Sequence, residues 1–201
     1  MKKTIVTLGA LSFVAANASA AIFINEIHYD NTGADTGEFI EVVTTGGETA
    51  ADVTVSLYNG SDGELYGSND TFNLAADFTD HGVLGDGNHY YSLLPSSMQN
   101  GGPDGISIDL LGVVAEFISY EGVIGSAGDG PAIGLASTDI GIAETSGTAV
   151  GSSLQRTAFG STWEFTDGTN TQGAINAAVP EPSSTALLGL AGLATLLRRK
   201  R

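Results

Sequence analysis

The amino-acid sequence predicts an all-β sandwich. Apolar residues alternate with polar ones along short runs, which is the mark of half-buried strands. The runs are bounded by Gly, Asp or Asn clusters such as Asn59-Gly60 and Asp86-Gly87-Asn88. No ten-residue stretch before residue 183 shows a 3.6-residue apolar period flanked by helix caps. Several short strands at regular spacing favour a sandwich over an α/β arrangement.

The elements follow in chain order. Ile22 to Tyr29 is rich in β-formers and opens the domain, Glu38 to Val43 gives a second strand, and Val53 to Tyr58 a third with clean period two. His89 to Leu94, Gly105 to Leu111 and Val113 to Tyr120 are the later strands, with Asp109-Leu110-Leu111-Gly112 as the turn of a hairpin between the last two. Residues 122–151 are rich in Gly, Ala, Ser and Thr, and Trp163 and Phe165 read as a closing strand beyond them. That stretch is therefore expected to be a surface loop within the domain.

The two ends read differently. Lys2 and Lys3, an apolar run from Ile5 to Ala16 and the small-x-small site Ala18-Ser19-Ala20 before Ala21 make residues 1–20 a secretory signal, cleaved after Ala20. Residues 21–178 form the sandwich domain, and 179–201 a tail. The tail holds Val179-Pro180-Glu181-Pro182, an uncharged run from Ser183 to Leu197, and Arg198-Arg199-Lys200-Arg201. The run predicts a C-terminal apolar helix of about 22 Å at 1.5 Å per residue, a short transmembrane helix for a thin bilayer. Its basic end is expected to stay cytoplasmic, placing the domain outside.

Removing the ends changes the electrostatics. The whole chain carries a formal charge of −16, but between Ala21 and Val179 one base, Arg156, faces 22 acids, a charge of −21. Such a domain repels nucleic-acid phosphates and anionic lipid and favours cations. The absence of cysteine excludes a thiol nucleophile, a thiolate zinc site and an iron–sulfur cluster.

The C-terminal order of Val179-Pro180-Glu181-Pro182, apolar run and basic cluster resembles the PEP-CTERM sorting signal of Gram-negative bacteria. The resemblance implies handling by an exosortase near Pro180-Glu181-Pro182, after export through the Sec machinery. It implies a cell-surface, outer-membrane or extracellular destination, often beside exopolysaccharide, reached through a transient inner-membrane intermediate. The middle resembles the bacterial branch of the lamin-tail domain, an immunoglobulin-like sandwich. Ile24-Asn25-Glu26-Ile27-His28-Tyr29-Asp30-Asn31 with Gly37-Glu38-Phe39-Ile40-Glu41 matches its entry. Ser153-Leu154-Gln155-Arg156, Trp163 and Gly173-Ala174-Ile175-Asn176 match its end. In relatives this domain often accompanies a nuclease or phosphoesterase, and no such partner domain is seen here.

The candidate metal ligands are Asp30, Asp35, Glu38 and Glu41, oxygen donors around a Gly-containing loop of the kind that suits Ca²⁺. If Asp30 is the first ligand, Glu41 falls at the twelfth place, although Thr32, Ala34 and Thr36 do not fit a helix-flanked calcium loop. The competing reading is that these acids cap turns. A second acidic set, Asp62, Glu64, Asn69, Asp70, Asp77, Asp80, Asp86 and Asn88, also lies on turns. His28, His81 and His89 lack zinc or general-base spacing. Arg156 is expected to pair with a carboxylate of its own sheet, and Trp163 and Phe165 to join the core. Tyr90, Tyr91 and Tyr120 are candidate exposed platforms for sugar stacking. The functional expectation is a non-enzymatic surface or matrix interaction module, possible partners being exopolysaccharide or other surface proteins. The alternatives are a metal-dependent hydrolase and a carbohydrate-binding module.

Overall fold

A computed structural model describes residues 21–176. The signal segment and the tail with its expected apolar helix lie outside the described residues. Among the described residues no helix is long and apolar enough to cross a membrane.

The strands are β1 (Ile22–His28), β2 (Phe39–Thr44), β3 (Val53–Asn59), β4 (Glu64–Leu65), β5 (Thr71–Asn73), β6 (Thr79–Val83), β7 (His89–Leu93), β8 (Asp104–Leu110), β9 (Val113–Tyr120), β10 (Thr138–Asp139), β11 (Ser153–Gln155) and β12 (Glu164–Thr166). They build two six-stranded sheets. The first runs β12-β11-β1-β2-β7-β6; the second runs β10-β9-β8-β3-β4, with β5 also paired to β3. Pairing is antiparallel except between β9 and β10. The all-β expectation therefore holds. One short helix, α1 (Leu74–Asp77), is capped by the Asn73 side chain, which accepts from the amides of Ala75 and Ala76.

The core lies between the sheets. Ile24, Ile27, Tyr29, Ile40 and Val42 of the first sheet and its adjoining loop pack with Val55, Leu57, Ile106, Ile108 and Tyr120 of the second. Tyr29 stacks on Tyr120 with ring centroids 3.9 Å apart. Strand β1 is buried along its whole length, so it shows no simple alternation. A bulge between Ile24 and Glu26 makes Asn25 an extra residue against β2. The bulge shifts the parity, so that Ile22 and Ile24 before it and Ile27 and Tyr29 after it all join the core.

The β8–β9 hairpin closes as expected. Leu110 pairs with Val113 across the two-residue loop Leu111-Gly112. Both loop residues take positive φ, 52° and 79°, which matches the right-handed strand twist. The Asp109 carboxylate accepts the Gly112 amide at 2.8 Å. Leucine pays a steric penalty in this conformation, and its side chain is 74 % exposed. Leu111→Asn should therefore stabilise the domain by about 1 kcal/mol, read as a raised denaturation midpoint.

Candidate functional site

Two buried polar networks hold the irregular segments onto the sandwich. In the first, Glu26 and Glu41 project from adjacent strands, away from the core. Glu26 Oε1 accepts from the Ser153 hydroxyl and the Thr171 amide, and its Oε2 from the Thr171 hydroxyl at 2.8 Å. Glu41 accepts from Asn25 Nδ2 at 2.7 Å and from the Gly173 amide at 2.6 Å. Asn176 Nδ2 donates to the carbonyls of Asn25 and Arg156 at 3.2 and 2.9 Å. Burial pushes both carboxyls up, Glu41 to about 8, although the donors around them pull the other way. Gly173 has φ +76°, and a Cβ there would lie 2.7 Å from the His81 ring, so glycine is required where the chain crosses the sheet.

In the second network Glu144 reaches from the Gly-rich connection to the end of β1. Its Oε1 lies 2.7 Å from His28 Nδ1, and its Oε2 accepts the amides of Tyr29 and Asp30 at 2.6 and 3.1 Å. The Glu144 amide donates to Tyr29 Oη at 2.8 Å. Burial alone would pull His28 down, but the hydrogen bond and charge of Glu144 outweigh it, and its proton affinity is raised. The connection thus lies within the domain, as the sequence suggests.

The four calcium candidates divide: Asp30, Asp35 and Glu38 lie near one another, and Glu41 lies apart. Glu41 belongs to the first network. Asp35 accepts from the Asn31 amide at 3.2 Å and from Asn100 Nδ2 at 3.0 Å, and Glu38 from the Met98 amide at 3.1 Å. Asp30 is buried, and burial together with Asp35 and Glu144 raises its carboxyl above the usual range. Among the described residues no group of three or more His, Asp and Glu could hold a metal ion. Asp35 and Glu38 each accept a loop amide, which is the turn-capping reading, and Glu41 accepts from Asn25 and Gly173 instead. The second acidic set behaves alike: Asp62, Asp80 and Asp86 cap the amides of Glu64, Gly82 and Asn88.

Other expectations need correction. Tyr90, Tyr91 and Tyr120 are buried, because both sheet faces are covered at their positions, and they offer no exposed platform. Phe165 is exposed, while Trp163 does join the core. His89 bonds Asp80 and His81 bonds Ser92.

Arg156 pairs with Glu116 of β9, in the opposite sheet rather than its own. Its Nε also donates to the Ile24 carbonyl at 2.8 Å. The guanidinium lies over the rings of Phe23, Phe159 and Trp163, 5.0–5.7 Å from their centroids. Beside it opens a cleft of about 520 Å³ between β9, residues 135–140 and the turn 159–163. Sequence reading missed this cleft. Its signal was the aromatic pair Phe159 and Trp163 following the domain's one arginine.

Asn176, the last of the described residues, is locked to β1 and to the end of β11. Residues 178–201 match the PEP-CTERM protein-sorting motif. No curated protein and no solved structure matches the chain. The PEP-CTERM motif marks the chain as an exported, cell-surface-associated protein and a substrate of exosortase.

Proposed function

We propose that this PEP-CTERM protein displays a non-enzymatic, lamin-tail-type, immunoglobulin-like sandwich as an interaction module at the outer cell surface or in the extracellular matrix. The observation that carries this reading is continuity. The motif begins two residues after Asn176, whose side chain is buried in the sheet network. The sandwich is thus the cargo delivered by the signal.

The lamin-tail assignment draws support from where its motif residues meet. Asn25, Glu26 and Glu41 from the entry converge with Ser153, Gly173 and Asn176 from the end in one buried network. Residues remote in sequence that share one network are what a fold signature requires. Export through the Sec route and residence beside exopolysaccharide or other surface proteins complete the proposal.

Mass spectrometry of the protein from membranes and medium tests the delivery. The mature C-terminus should lie near Pro180-Glu181-Pro182, with the basic cluster gone. Recovery of the surface-located protein with Arg201 intact would overturn exosortase processing.

A further inference from the structure

We propose that the cleft between β9 and the 159–163 turn is a binding subsite for a neutral saccharide. A sugar presents an apolar C–H face and a ring of hydroxyl donors. The cleft presents the complement.

Phe159 supplies the platform, with 54 % of its surface exposed. Its ring packs against Phe23 at 6.0 Å and against the Arg156 guanidinium at 5.7 Å, so its orientation is fixed before any ligand arrives. Trp163 closes the wall. Glu116 supplies an acceptor. Its Oε2 is committed to the Ile24 amide and to Arg156, and its Oε1 has no hydrogen-bond partner among the described residues. Thr138, Asp139 and Thr162 add polar atoms to the lining. The volume falls in the range of small-ligand sites.

Charge selects the class. Arg156 is already occupied by Glu116, a carbonyl and aromatic rings, so the cleft has no uncommitted cation for an anion. A domain of charge −21 repels phosphate, sulfate and uronate groups. Hydroxyl donors meeting carboxylate acceptors are what remains.

The inference rests on display outside the cell, but its test is independent of that reading. Trp163 is the one tryptophan of the chain, so its emission reports on the cleft directly. The full-length chain in detergent is titrated with short neutral oligosaccharides of glucose, galactose, mannose, xylose and N-acetylglucosamine, and with polygalacturonate as the acidic counterpart. At least one neutral sugar should shift the emission saturably, and polygalacturonate should not. Phe159→Leu, which keeps apolar bulk without the ring, should weaken binding about tenfold with little change in thermal midpoint. A panel without response, equal binding of polygalacturonate, or unchanged affinity in Phe159→Leu overturns the assignment. A misplaced protein in the fractionation experiment would instead refute surface display and leave the titration unaffected.

Discussion

Glu144→Ala should lower the stability of the domain by about 3–5 kcal/mol, because it removes a buried carboxylate and strands several buried donors, each costing about 1–3 kcal/mol. His28 loses the carboxylate 2.7 Å from its Nδ1, and the amides of Tyr29 and Asp30 lose their acceptor in a site closed to water. The Gly-rich connection also loses an anchor to β1. Equilibrium denaturation measures the loss. Limited proteolysis should show new cleavage within residues 141–151. Glu144→Gln retains an acceptor for the amides but no charge for His28, so its loss should be smaller. A Glu144→Ala protein with wild-type midpoint and proteolytic pattern would show that the connection is held by something else.

The second large effect is on pH dependence. An unfolded Glu41 releases its proton near the usual 4.5, whereas in the fold burial holds the proton until about pH 8. Between those values the native state binds more protons than the unfolded state, so raising the pH favours unfolding. Stability from this group is complete below 4.5 and is lost as pH rises through about 8. Glu26, raised by burial, and His28, raised by Glu144, act in the same direction. The thermal midpoint should therefore fall markedly from mildly acid to mildly alkaline solution. Glu41→Gln, neutral at every pH and still able to accept from the Gly173 amide, should flatten that slope. A wild-type midpoint flat over this interval would contradict the buried, proton-holding state of Glu41.

Much of the sandwich was legible because long strands such as β3 alternate aliphatic core residues with polar ones, which writes period two into the sequence even where both faces are covered. Val53 to Asn59 and the Leu111-Gly112 hairpin are the clearest cases, each matching its expected place to within a residue. The short strands were not legible. Glu64–Leu65, Thr71–Asn73, Thr138–Asp139 and Ser153–Gln155 span two or three residues, too few to show a period. Their extended state comes from partners distant in the chain. β6 was hidden by Gly82 and by a bulge against β7. The polar networks were half legible. Asn25, Glu26 and Glu41 lie in the stretch that resembles the lamin-tail entry, but sequence could not tell a metal-binding carboxylate from one that accepts backbone amides. That difference lies in the 171–176 segment folding back over the sheet. Glu144 sat in a stretch whose composition suggested only a loop, and nothing in the spacing tied it to His28.

The lock on Asn176 also sets a length. Three residues, Ala177 to Val179, separate it from Pro180, so the chain takes four steps, each of at most about 3.6 Å when extended. The peptide reaching the sorting enzyme can therefore extend only about 14 Å from the sandwich. Any enzyme acting at Pro180-Glu181-Pro182 must accept a folded domain almost against its own surface. If the processed C-terminus is joined to a surface, that domain is held on a short leash, with the outer face of the first sheet near the point of attachment.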